Sequence, residues 1–158
     1  MKKTGFIIMQ VAIYLILLGG IGDIIYSFSV ETIIPAHLDY LKMTNQEVSP
    51  QLINLDLAFM RGIGGFIIAV GGCALIILYT SIKNGNQMAL WGMLIMVTIG
   101  EGNNALQMIL LNSPFYALPL FYLILLWTGA ILWVADAKGK SKSEDVIGEK
   151  QSPQEVKI

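Results

Sequence analysis

The sequence predicts an all-α integral membrane protein, a four-helix transmembrane bundle with a short amphipathic helix in its outer first loop. Three observations carry that prediction. The 158 residues are 55% hydrophobic and 13% charged, with a mean hydropathy of +0.67, too apolar for a soluble domain of this size. Four apolar runs, at residues 5–28, 57–80, 88–111 and 115–135, each approach the roughly 20 residues that cross a hydrocarbon layer about 30 Å thick. Most lysines outside those runs fall on one side of a four-span chain, Lys2 and Lys3 before the first, Lys83 between the second and third, and Lys138, Lys140 and Lys142 after the fourth, while the loop between the first two holds Lys42 with Glu31, Asp39 and Glu47 and no basic excess.

The first run opens behind Lys2 and Lys3 and contains Gly19, Gly20, Gly22 and Asp23. Its apolar stretch exceeds the roughly 7–15 residues of a cleaved leader's core, so it reads as a retained anchor. The loop over 29–56 follows. Within it, TIIPAHLDYLKM places Ile33, Ile34, His37, Leu38 and Leu41 at helical spacing with Pro35 in a first turn, which predicts a short amphipathic helix on the outer surface. His37 is the one histidine and the candidate for a gate. Ser49 before Pro50 is a helix start signal, so the next helix begins before its apolar run does.

The second run carries Arg61 and the glycines Gly62, Gly64, Gly65, Gly71 and Gly72. Small residues in such ridges let helices approach closely, and these are expected to face Gly19, Gly20 and Gly22 of the first run. Lys83, Asn84, Gly85 and Asn86 make a tight turn. The third run is interrupted by VTIGEGNNALQMIL, which brings Thr98, Glu101, Asn103, Asn104 and Gln107 into apolar chain. Asn112, Ser113 and Pro114 separate it from the fourth run. Short connections force antiparallel neighbours. The bundle thus occupies residues 1–137, and the polar, mixed-charge tail over 138–158 is expected to be disordered.

By the positive-inside rule the lysine-bearing side is cytoplasmic, which places both termini inside, the 29–56 loop outside and the chain in the plasma (cell inner) membrane. Trp133 and Tyr79 near one set of helix ends, and Tyr26 and Tyr116 near the other, fit interfacial belts.

Within the runs only Asp23, Arg61 and Glu101 are ionisable. A charge at mid-bilayer costs roughly 2.5–3.5 kcal/mol on insertion scales and therefore faces inward and finds a partner. From a rise of about 1.5 Å per residue, Asp23 and Arg61 lie roughly 6–8 Å inside the outer boundary and Glu101 about 16 Å below it. Arg61, the sole arginine, is expected to serve both carboxylates. Thr98, Glu101 and Asn104 share one face of the third helix, and Asn103 with Gln107 are expected on a nearly opposite stripe that needs a second surface. The candidate ligand or proton site is therefore Glu101, Arg61, Asp23, Asn104 and Thr98, on the wall of an interior cavity open to the outer leaflet.

A net charge of −1 offers no basic excess for nucleic acid. The lone Cys73 and His37 give no metal-ligand set and no internal disulfide, and no GxSxG, HExxH, P-loop or CxxC motif is present. No cofactor is implied, and no catalytic residue can be named. The stretch LAFMRGIGGFIIAVGG (57–72), behind an amphipathic outer segment, resembles the small four-span bacterial membrane proteins grouped as DoxX-like. The resemblance implies the four-span fold and no particular residue role.

The sequence favours a non-enzymatic binding or accessory protein in the lipid bilayer, holding a lipid-like small molecule or a partner helix from a second membrane protein or a second copy of itself. A small proton-coupled transporter using Glu101 and an enzyme acting on a lipid-phase substrate are the alternatives.

Overall fold

The computed structural model describes the backbone of residues 2–150 and the side chains of residues 3–136. The tail expected to be disordered over 138–158 lies outside the fully described residues. The chain is helical: α1 (Lys2–Ser29), α2 (Pro35–Leu41), α3 (Pro50–Ile77) continued by a π-helical turn (Leu78–Ile82), α4 (Gln87–Leu110), a 3-10 turn (Pro114–Tyr116) and α5 (Ala117–Lys150). No strand occurs among the described residues.

Local chemistry sets the boundaries. Ser49 caps α3, its side chain accepting a hydrogen bond from the Leu52 N–H at 3.2 Å ahead of Pro50. Asn86 caps α4 in the same way through the Ala89 N–H at 3.0 Å. Between α3 and α4 the chain reverses through Gly85, whose φ of 92° suits a residue without a β-carbon.

Among the described residues, three segments are long and apolar enough to cross a membrane: Lys3–Ser29, Pro50–Ile82 and Pro114–Asp136. Only 33%, 33% and 28% of their apolar windows are buried inside the protein, so most of their apolar surface faces outward. Such a surface would aggregate in water and is what lipid requires. The protein is therefore a multi-pass membrane protein. Helix α4 has the length but not the apolarity of the other three, because Glu101, Asn103, Asn104 and Gln107 interrupt it.

Packing is uneven. Helix α1 lies between α3 and α5 in extensive contact with both, whereas α4 touches α3 and α5 more sparingly on the far side. Backbone-on-backbone glycine contacts explain the difference. A methyl on Gly20 would lie 2.8 Å from the Gly64 carbonyl oxygen, and one on Gly64 would lie 2.7 Å from that of Gly20. Near the other end of α1, a methyl on Gly5 would lie 2.5 Å from the Gly129 carbonyl oxygen. Gly71 closes on the Leu17 side chain, while Gly22, Gly62, Gly65 and Gly72 would meet nothing within 4 Å. The expected glycine ridge thus reduces to Gly20, Gly64 and Gly71, and the Gly5–Gly129 contact adds a second seam. Between the four long helices, Met9, Ile13, Ile16, Val70, Ala74, Leu78, Leu90, Leu94, Leu126 and Trp133 form the buried core.

These approaches predict a split among glycine substitutions. Gly64→Ala and Gly129→Ala should lower thermal stability in detergent by about 1–3 kcal/mol through overpacking. Gly65→Ala and Gly72→Ala should leave it unchanged or raise it by up to about 1 kcal/mol through helix propensity. Equal losses at all four would show that close approach is not what holds α1 in place.

Candidate functional site

The inward face of α4 runs Leu90, Leu94, Val97, Glu101, Ala105 in steps of three or four, and all five are buried. Glu101 is 2% exposed because it occupies a position where the preceding turns place apolar core. Asn104, one turn further on, donates a hydrogen bond to its carboxyl group. Asp23, half-buried on α1 one turn beyond the Gly20 contact, lies within electrostatic reach of Glu101, and Tyr122 of α5 within reach of both. Tyr122 was not among the residues expected here. It lies on the buried stripe Tyr122, Leu126, Gly129 and Trp133 of the last span, and that spacing was the available signal.

Arg61 does not join this group. Among the described residues it forms no ion pair with Asp23 or Glu101; the ion pair found there is His37 with Asp56. The antiparallel register set by Gly20 on Gly64 directs Arg61 instead toward the last turn of α1, where its guanidinium carbon sits 4.7 Å from the centre of the Phe28 ring. The expected charge triad is thus corrected to a carboxyl pair on α1 and α4, with the arginine on a separate site. There Arg61 lines a cavity of about 340 Å³ with Ser27, Phe28, Glu31, Asn54 and Leu57.

Thr98 is also elsewhere. Its hydroxyl oxygen accepts a hydrogen bond from the Trp127 indole N–H at 3.1 Å, tying α4 to α5 beside the tilted Trp91–Trp127 ring pair. Asn103 and Gln107 were expected opposite Asn104. All three line one groove, because residues three and four apart on a helix are neighbours on the same side. The groove lies between α3 and α4 and encloses about 410 Å³. Its α3 wall is Leu55, Ala58, Phe59, Gly62, Ile63, Phe66 and Ile67, and its α4 wall is Gly100 with the three amides. Glu101 is not part of the lining. Asn104 stands between the carboxyl group and the groove, so the expected cavity wall is formed by the amide and not by the acid.

Helix α2 lies in the connection between the end of α1 and the start of α3. Ile33 and Leu38 are buried beneath it, while Tyr40 and Leu41 are exposed. His37 Nδ1–H donates to Asp56 Oδ1 at 2.5 Å, and the second Asp56 oxygen is buried without a partner. Asp56 is the residue of this contact that sequence reasoning did not single out. After α2, the Thr44 N–H and hydroxyl donate to Glu47 at 2.7 and 2.8 Å. Both bonds favour the carboxylate and hold Glu47 below its ordinary 4.5.

Among the described residues no three His, Cys, Asp or Glu side chains come together as metal ligands. What the geometry offers is an amide-lined apolar groove, a buried Glu101 with the half-buried Asp23 in electrostatic reach, and one imidazole–carboxylate contact between α2 and α3. These features define a helical multi-pass membrane protein with polar groups concentrated at one end. Compared with protein-family models, curated proteins and solved structures, the chain matches none.

Two outcomes are expected. His37→Ala and Asp56→Asn should each speed amide exchange in α2 by about tenfold, the effect of losing one charge-assisted hydrogen bond, and the double variant should do no more; additive effects would show that the two residues act separately. In an NMR titration Glu47 should ionise below 4.5. A depressed folded-state value means the Thr44–Glu47 turn is fully ordered above the unfolded value and loosens as pH falls through the folded one. Thr44→Ala should bring the midpoint back up; an unmoved midpoint would show that Thr44 does not set it.

Proposed function

We propose that the protein is a non-enzymatic, four-span integral membrane binding protein of the layout that the DoxX-like resemblance implies, with both termini cytoplasmic and α2 on the outer face of the plasma membrane. Its groove between α3 and α4 holds a lipid-like amphiphile. The observation that carries this reading is the mismatch between the groove's two walls. Leu55, Phe59, Ile63 and Phe66 present apolar surface from α3, and Asn103, Asn104 and Gln107 present amides from α4.

An amide turned toward hydrocarbon without a partner costs on the order of several kcal/mol. A molecule with an acyl or polyprenyl-like chain and a carbonyl or hydroxyl head removes that cost at the α4 wall and lies on the aliphatic and aromatic side chains of the α3 wall. The groove's volume of about 410 Å³ is within the usual range for small-molecule sites. Helix α4 fits a fourth span because its one charge, Glu101, is buried against the other helices and its amides gather on one side.

A second reading is a proton-coupled transporter, favoured by Asp23 and Glu101 lying within electrostatic reach of each other with no cation paired to either among the described residues. Unpaired carboxyl groups within a membrane-crossing bundle are the kind of group a proton pathway uses. A transporter would need Glu101 to meet both sides of the membrane in turn, which the binding reading does not require.

The test is native mass spectrometry of the gently purified protein with extraction of what it carries. Wild type should retain an amphiphile near one per chain. Gly62→Leu, placed where an added side chain meets open space, should fill the groove, and Asn103→Leu with Gln107→Leu should remove its donors. Each should lower retention by about 2–10-fold with the melting midpoint unchanged or raised. Equal retention by all forms would end the groove reading.

A further inference from the structure

We propose that the cavity between the end of α1 and the start of α3 is a phosphate-binding site anchored by Arg61, taking the group from a lipid headgroup or from free phosphate. The site is separate from the α3–α4 groove: Arg61, Leu57 and Asn54 line it from one side of α3, while Leu55, Phe59 and Gly62 line the groove from the other.

Four observations converge on it. Arg61 is the chain's one arginine, lies within a segment apolar enough to cross a membrane, and has no carboxylate partner among the described residues. Its Nε is buried and makes no hydrogen bond. Phe28 lies 4.7 Å from the guanidinium carbon and meets the cation through its ring, a contact that leaves the N–H fork, which lies in the guanidinium plane, unspent. The cavity beside it, about 340 Å³, adds the Asn54 amide as a second donor and Ser27, Leu57 and Ile53 as walls.

A fork of N–H donors with no acid to answer it matches the tetrahedral oxygens of phosphate. The first turn of α3, with Pro50 on the cavity wall, adds the partial positive charge of a helix N-terminus. Ser27 does not donate, since its hydroxyl is already given to the Ile24 carbonyl at 2.7 Å. Glu31 is exposed on the rim and bears the opposite sign, so the phosphate sits on the Arg61 side and the rest of a headgroup passes Glu31. The cavity lies where α1 ends and α3 begins, at the α2 end of two helices apolar enough to cross a membrane.

The test uses the full chain in detergent, with thermal unfolding followed against short-chain phosphatidylglycerol, inorganic phosphate, and chloride at matched ionic strength. Wild type should show a saturable rise in midpoint with a phosphate-bearing probe and none with chloride. Arg61→Gln should weaken apparent affinity at least about tenfold, and Arg61→Lys, which keeps the charge without the fork, by a smaller factor. Competition by inorganic phosphate would identify the bare group as what is read; binding of the lipid alone would identify the headgroup as its source. Should Arg61→Gln fail to fold, amide exchange on the wild type decides: saturating lipid should protect residues 27–31 and 50–61. Unchanged affinity in both variants, protection elsewhere, or binding abolished by Gly62→Leu and kept by Arg61→Gln would overturn the proposal.

Discussion

The arrangement depends on two places where helix backbones touch without side chains between them. Gly20 on Gly64 draws α3 onto α1 near the α2 end, and Gly5 on Gly129 draws α5 onto α1 near the other. In lipid, where apolar side chains gain nothing by leaving their surroundings, such close van der Waals contact is a main source of helix association. Helix α4 has no equivalent contact. A methyl on Gly100 would meet only Phe66 and Val70 side chains at 3.6 Å and beyond, and one on Gly102 would meet nothing within 4 Å. The fourth long helix is therefore held at side-chain distance, and the space left along its α3 edge is the groove.

That asymmetry runs along the molecule as well as around it. Toward the π-helical end the interior is closed by Met9, Leu78, Ile82, Leu90 and Trp133, all essentially without exposed surface. Toward the α2 end it becomes polar, with Glu101 beside Asn104, Asp23 nearby and His37 on Asp56. Among the described residues, the buried side-chain polar atoms left without a partner, Asp56 Oδ2 and Arg61 Nε, both belong to this end. A low-dielectric interior penalises such atoms strongly, so each marks a place where an added donor or acceptor would stabilise the fold.

Helices were legible in the sequence wherever a local signal existed. The apolar runs coincide with the four long helices, Ser49 caps α3 as its place before Pro50 implies, and the Pro35 segment is helical. Burial of Glu101 was legible too, since charge in apolar chain must turn inward. The direction of Arg61 was not. Depth along a helix follows from counting residues, but the register between two helices is set by which glycines meet, and Gly64 could not be told from Gly65 until the backbones were in place. The same gap concealed the Gly5–Gly129 seam, whose partners lie at opposite ends of the sequence, and the His37–Asp56 contact, which joins a loop helix to a long helix 19 residues away. Asn103 lies about 200° around the helix from Glu101 but only about 100° from Asn104, so the three amides share the groove while the acid faces away from it.

The wide turn at Leu78–Ile82 settles a matter of phase. Val70, Ala74, Leu78 and Ile82 are all buried at successive steps of four, and on a regular α-helix of about 3.6 residues per turn such a series drifts by about 40° at each step. Continued unbroken, the stripe would carry Ile82 about 120° around the axis from Val70. Widening the last turn, with the Lys83 N–H reaching back to the Leu78 carbonyl at 3.0 Å, takes up the surplus and returns Ile82 to the interior. The segment thus behaves as a spacer holding one residue more than a regular helix would need, and it is the point along α3 where a single-residue deletion could be absorbed by reverting to ordinary winding, with everything from Gly64 to Ala74 left in register against α1.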